Sequence, residues 1–130
     1  MGSGIAQVAA SAGHPTILFD SNPAMLEKSK TELNKTLSRL LEKSKITKEE
    51  SDTIIQNIRY ANSMSEMGSC KLIVEAILED LSVKQQVVKE LEEIVGDECI
   101  LASNTSSLSI TSIAGAARIP SRIIGLHFFN

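Results

Sequence analysis

Two periods of apolar residues alternate along the chain, and they predict a succession of helices and strands. Behind a glycine-rich start, Met1-Gly2-Ser3-Gly4, the residues Ile5, Val8, Ala9 and Ala12 recur at helical spacing. Small residues on that face suit close packing on a sheet, and Gly13 ends the helix in the C′ position. Thr16-Ile17-Leu18-Phe19 is a short apolar run closing on Asp20, as in a buried parallel strand. Asn22-Pro23 offers an N-cap followed by Pro at the first helical position. Leu26, Leu33, Leu37, Leu40 and Leu41 then mark one face of a long helix ending near Lys43. Thr47-Lys48-Glu49-Glu50 is a capping box that opens a second helix, anchored by Ile54 and Ile55. A short strand at Ile58-Arg59-Tyr60-Ala61 and a turn or short helix from Ser63 to Gly68 lead to a strand at Leu72-Ile73-Val74-Glu75-Ala76. Ser82-Val83-Lys84-Gln85 resembles another capping box; Val87, Val88, Leu91, Ile94 and Val95 follow on one face, and Gly96 closes it. Cys99 to Ser103 is the next strand, Asn104 to Ser107 a polar loop, Ile110 to Ala114 a short helix, and Ile123 to Leu126 the last strand. Strands alternating with helices predict an α/β domain with a mostly parallel sheet.

Composition narrows the function classes. A chain of 130 residues with 42% hydrophobic content fits one domain with a real core. Thirteen Lys and Arg against sixteen Asp and Glu give a net charge of -3. No positive excess exists to displace counterions from phosphates, which argues against nucleic acid as a partner. No apolar run approaches the roughly 20 residues of a membrane-spanning helix. Cys70 and Cys99 form no C-x-x-C pair and suggest buried thiols in a reducing compartment, not a disulfide or zinc site. The start is not read as a signal peptide. Because the chain opens abruptly inside a glycine turn and closes on a strand running into a loop, further sequence is expected on both sides.

Open parallel sheets bind ligands beyond the carboxyl ends of their strands. Asp20, Glu75-Ala76, Asn104 to Ser107 and His127 to Asn130 all fall at such ends. Gly2-Ser3-Gly4 at a helix N-terminus suits a pyrophosphate. Asp20 suits the two hydroxyls of an adenosine ribose and repels a 2′-phosphate, which favours NAD over NADP. An ordinary helix start beside a strand-ending Asp accounts for the same residues. His127, ahead of two Phe in a setting that sheds water, is either a general base or a core histidine bonded to a carbonyl. Asn104 and Ser106 either bond a substrate oxygen or a nicotinamide amide, or cap the following helix. Ser106 lacks the surroundings of a nucleophile elbow, His14 reads as a solvated loop residue, and no carboxylate and His spacing matches a metal site. The Lys and Glu of the long helix read as a solvated face with i,i+4 pairs, or as an edge meeting a ligand's phosphates.

Taken together, Met1 to Gln7, Val74-Glu75-Ala76, Asn104-Thr105-Ser106-Ser107-Leu108 and Gly125-Leu126-His127-Phe128-Phe129-Asn130 resemble the NAD-binding domain of the 3-hydroxyacyl-CoA dehydrogenases. The resemblance covers the whole chain. It implies a Rossmann-like doubly wound, mostly parallel sheet with a helical hairpin insertion, lacking its first strand. It implies NAD-dependent oxidation of 3-hydroxyacyl-CoA to 3-oxoacyl-CoA, with His127 as catalytic base and Ser106 orienting the substrate oxygen and touching the cofactor. Met1, Gly2, Asp20, Val74, Glu75, Ala76, Glu79, Lys84 and Asn130 would lie along the cofactor, and Thr36 and Lys43 where the helical hairpin meets CoA. The family's first strand, its first two loop glycines, the acid that pairs with the His and the helical C-terminal dimerisation domain fall outside this chain. The chain is therefore expected to be a fragment, inactive alone, of a homodimeric enzyme with an acyl-CoA substrate and no membrane or nucleic-acid partner. The bacterial cytoplasm, or the mitochondrial matrix in a eukaryote, is the expected compartment. The competing reading is a non-catalytic, truncated nucleotide-binding or interaction module. Other hydroxyacid dehydrogenases fit the loop after the last strand poorly.

Overall fold

The computed structural model describes residues 1–129. Its elements run α1 (Gly2–Ser11), β1 (Thr16–Leu18), α2 (Pro23–Glu42), α3 (Lys48–Asn57), β2 (Ile58–Tyr60), a 3-10 turn (Met64–Met67), β3 (Leu72–Glu75), α4 (Leu81–Glu92), β4 (Ile100–Ser103), α5 (Ile110–Ala114), a second 3-10 turn (Pro120–Arg122) and β5 (Ile123–Gly125). Every strand pair is parallel: β1 with β2 in one sheet, and β3-β4-β5 in the other. This is the mostly parallel α/β arrangement of a Rossmann-like dinucleotide-binding fold, with the α2–α3 hairpin interposed between β1 and β2. The chain divides into two compact units, residues 1–63 and those from Met64 on.

In the first unit the core joins Ala6, Ala10, Leu33, Leu37, Ile54 and Ile58, with Leu18, Ile46 and Tyr60 packed against it. The buried face of α1 is thus Ala6 and Ala10, not Ile5, Val8, Ala9 and Ala12 as the pattern suggests; Val8 is 58% exposed. The reason is crowding, because α1 packs against α2 and α3 as well as β1 and β2, and methyl-sized side chains let the backbones approach. Asn57 Nδ2 donates to the Ala10 carbonyl at 3.1 Å and ties α3 to α1. The turn after α1 is a Schellman motif: His14 N–H donates to Ala9 O and Gly13 N–H to Ala10 O, both at 3.1 Å. Gly13 sits there at φ +88°, where a side chain would be strained. Asn22 caps α2 through Ala24 N–H, and both halves of the Thr47–Glu50 capping box form at α3. Of the expected α3 anchors, Ile54 is buried and Ile55 is 45% exposed.

In the second unit, alternate residues of the three strands line up in rows: Ile73, Leu101 and Ile123, then Glu75, Ser103 and Gly125. Val88 and Leu91 of α4 and Ile113 of α5 pack over the apolar row. A Cβ on Gly125 would lie 3.1 Å from Ile110 Cγ1, so α5 sits as close as it does because that position is glycine. The N-cap of α4 is Asp80, not Ser82: the Asp80 carboxylate accepts from Val83 N–H at 3.0 Å and from Ser82 Oγ at 2.6 Å. The carboxylate takes both donors, which leaves Ser82 inside the helix. α4 ends at Glu92 rather than at Gly96, and a further turn, Val95 N–H to Leu91 O, carries the chain on.

Glu92 is the buried anchor of this unit. Arg118 N–H and Ile119 N–H donate to its carboxylate at 2.6 and 3.1 Å, and Arg122 Nη2 at 3.1 Å. Arg122 Nη1 also bonds Gly96 O at 2.7 Å. Burial works to raise the Glu92 pKa, but the two amides and the guanidinium outweigh it and hold the carboxyl below its ordinary 4.5. A depressed folded-state pKa gives stability that is present above the ordinary value and lost as pH falls beneath it. Both side chains are 5% exposed, so removing one partner strands a buried charge. Glu92→Ala is expected to cost about 3 kcal/mol. Urea unfolding at pH 7 checks this, and a loss below about 1 kcal/mol would show that the pair does not anchor α4.

Candidate functional site

The first unit presents the open end of a helix beside an acid. The first amides of α1 have no intrahelical acceptors, and Met1 at the N-cap makes no side-chain cap. Gly4 is exposed, and a Cβ there would meet nothing within 4 Å. The short connection 12–15 turns the chain back, bringing the N-terminus of α1 and the C-terminal end of β1 to the same end of the unit. Asp20 follows that strand, is exposed, and accepts Asn22 N–H on Oδ1 at 2.8 Å. Thr36 of α2 and Lys43, its C-cap, are exposed and seven residues apart, hence on one side of the helix. At ~1.5 Å per residue they lie roughly 20 and 30 Å along the helix from its start, well removed from Asp20.

The second unit gathers most of its expected residues at the carboxyl ends of β3, β4 and β5. Glu75 ends β3 with a side chain 8% exposed, and Lys84 reaches it from α4 with a side chain 2% exposed. Lys84 Nζ donates to both Glu75 oxygens, at 2.9 and 2.8 Å. Ser103 Oγ donates to Glu75 Oε1, and Ile77 N–H to Oε2 at 3.2 Å. Lys84 also lies 3.6 Å from Glu79, which is partly exposed. Glu79 in turn accepts Thr105 Oγ1 at 2.6 Å, Ser106 N–H at 3.0 Å and Ser106 Oγ at 3.1 Å. The Thr105 hydroxyl, the Ser106 amide and the Ser106 hydroxyl together hold the Glu79 carboxyl down at about 2, with Lys84 adding to the effect. An ionised carboxylate only accepts, so the Ser106 hydroxyl proton points at Glu79 and its lone pairs face outward.

His127 follows β5 and is exposed; its ring lies 4.5 Å from that of Phe129, tilted by 60°. The expected dry setting is not formed in this chain, since Phe129 is 86% exposed and only Phe128 is partly buried. The reason is direction: the chain leaves the sheet after Leu126, whose N–H makes the last main-chain bond to β4, with Ser103 O at 2.9 Å. Neither helix-capping reading holds. The cap of α5 is Ser109, while Ser106 is bound to Glu79 and Asn104 Oδ1 accepts Phe128 N–H at 2.7 Å. Val74 and Ala76 are partly buried, and Val74 pairs with Ala102. Asn130 lies outside the described residues.

The Lys84–Glu75 pair and the holding role of Thr105 escaped the sequence reading. A signal was there: Lys84 lies four, seven and eleven residues before Val88, Leu91 and Val95, on the buried stripe of α4. A lysine on such a stripe calls for a buried acid.

Residues 1–130 match the family model described as 3-hydroxyacyl-CoA dehydrogenase, NAD binding domain. The chain belongs to this family. A probable 3-hydroxybutyryl-CoA dehydrogenase of Deinococcus radiodurans is 41% identical over 130 residues, which are all of this chain and 46% of that protein. One from Bacillus subtilis is 42% identical, with all of this chain and 45% of that protein covered. The crystal structure of a 3-hydroxybutyryl-CoA dehydrogenase from Escherichia coli superposes with a TM-score of 0.97 at 35% identity, over all of this chain and 28% of that one. The chain thus spans less than half the length of these relatives. The domain is NAD-binding, and the first unit fits that cofactor. The first turn of α1 is open, with free space at Gly4, and Asp20 is exposed, which is the chemistry that suits an anion beside hydroxyls.

The pH dependence of the Glu79 contacts follows from its low pKa. They are complete above the ordinary 4.5 and are lost only as pH falls through about 2. A ¹³C titration of the Glu79 carboxyl is expected to show its midpoint near 2 and no change between pH 7 and 4. A midpoint above 4 would mean that Thr105 and Ser106 do not hold it in solution.

Proposed function

We propose that this chain is the cofactor-binding part of an enzyme that oxidises 3-hydroxyacyl-CoA to 3-oxoacyl-CoA. The observation that carries the reading is the clustering of Ser106 and His127 at the ends of the adjacent strands β4 and β5, tied by Leu126 N–H to Ser103 O. Bound NAD supplies the hydride acceptor. The α1 amides behind Met1 and Gly2 would hold its pyrophosphate, and Asp20 would bind the adenosine ribose. His127 takes the proton of the 3-hydroxyl. Its own ring nitrogen accepts that proton, so the Ser106 oxygen, facing outward as an acceptor, receives a donor group of the bound molecules. Glu79 holds Ser106 in that orientation, and Lys84 acts from inside the fold through Glu75 and Glu79. Thr36 and Lys43, on their shared face, are placed for the CoA portion. A helical domain that closes over the thioester and forms a dimer would complete such a site.

Three measurements test the reading. In a full-length dehydrogenase carrying this domain, His127→Ala is expected to lower kcat about 10²–10⁴-fold with NAD affinity unchanged. Near-native turnover by a well-folded variant would remove His127 from the chemistry. The same enzyme is expected to prefer NAD to NADP, since a 2′-phosphate would meet the Asp20 carboxylate. A preference for NADP overturns the role of Asp20. The 130-residue chain alone, given NAD and 3-hydroxybutyryl-CoA, is expected to turn over far more slowly than an ordinary enzyme rate on the order of 10 s⁻¹. NADH absorbance decides this, because exposed His127 leaves water in the site.

A further inference from the structure

We propose that Asn104 is a positioning residue for His127: its side-chain carbonyl replaces a rung of the β4–β5 ladder and fixes the backbone that carries the imidazole. This rests on the reading of His127 as the base. The regular pairing of β4 with β5 runs from Leu101 opposite Ile123 to Ser103 opposite Gly125. Leu126 N–H to Ser103 O, at 2.9 Å, is its last main-chain bond. In a parallel pair the next amide aimed at the neighbouring strand is two residues further on, at Phe128. By then β4 has ended, at Ser103. Asn104 N–H bonds back to Glu75 O at 3.0 Å, and Thr105 N–H goes to Ser103 Oγ at 3.2 Å. The Asn104 side chain fills the gap, with Oδ1 accepting Phe128 N–H at 2.7 Å.

His127 therefore lies between two anchored amides, one held by main chain and one by Asn104. The anchor reaches further, because the Asn104 amide is fixed on β3 through the residue that pairs with Lys84. Without the Asn104 oxygen, the chain after Leu126 has one anchor instead of two, and the imidazole is free to swing with Phe128. A base displaced by about 1 Å loses on the order of 10²-fold in rate. The Asn104 bond touches backbone only, so substrate and cofactor affinity should survive its loss.

The test uses Asn104→Ala and Asn104→Asp in a full-length dehydrogenase, and amide hydrogen exchange in this chain. Asn104→Ala is expected to lower kcat about 10–100-fold, with the KM for 3-hydroxybutyryl-CoA and the Kd for NAD within about twofold of wild type. Asn104→Asp keeps the oxygen acceptor and is expected to restore most of kcat. Its added negative charge near the imidazole should move the low-pH limb of kcat/KM upward. In the chain itself, Asn104→Ala should speed exchange of the Phe128 amide and leave Leu126 protected. Wild-type kcat in Asn104→Ala, an Asn104→Asp enzyme no better than alanine, or unchanged Phe128 exchange would each overturn the proposal. A His127→Ala enzyme with full turnover would instead overturn the reading beneath it, whatever Asn104 does.

Discussion

The contact of Lys84 with Glu75 is the constraint on which the second unit depends. Two charges have been taken almost wholly out of water, and their solvation has to be replaced within the fold. It is replaced nearly in full. The ammonium meets both carboxylate oxygens, Ser103 and the Ile77 amide meet the same carboxylate, and Glu79 stands close on the outer side. Such a cluster adds little stability over a well-packed apolar one, but it is intolerant of any other arrangement. Its value lies in register. It locks the end of β3 to the end of β4 and to the first turn of α4, and the loop bearing Ser106 is built on that junction.

The two units present polar groups by different means. The first offers unpaired main-chain amides and one exposed carboxylate, and its precision comes from the packing of alanines beneath them. The second offers side chains that are already engaged with one another. Ser106 and Glu79 each spend a hydrogen bond inside the protein, so their remaining valences point in fixed directions. Fixed dipoles of this kind need no reorganisation when charge develops beside them.

Periodicity and cap chemistry made the element order legible in the sequence, and the motifs made the family and its cofactor legible. The errors have physical causes. The face of α1 was misplaced because Ile5 and Val8 carry the larger hydrophobic signal, whereas a helix wedged among several neighbours buries its smallest residues. The α4 cap was placed at Ser82 because Ser heads a capping-box pattern, but a carboxylate two residues earlier takes the same donors. His127 read as enclosed because two phenylalanines follow it; adjacency in sequence does not place an aromatic ring over its neighbour. Asn104 and Glu79 showed their polarity in the sequence but not their partners, which lie 24 to 27 residues away. Glu92 and Arg122, thirty residues apart, were hidden for the same reason.

The alanines beneath α1 bear on how this domain can change over evolution. The open end of α1 is a set of main-chain amides, and no substitution other than proline can delete one. What substitution can do is lift them. Ala6 and Ala10 rest against Leu33, Leu37, Ile54 and Ile58, so each added carbon at either position thickens that layer and moves the whole helix as a lever. That end of the helix is thereby exposed to drift more than to loss. Mutations that weaken it are to be sought in hydrophobic residues that never approach a phosphate.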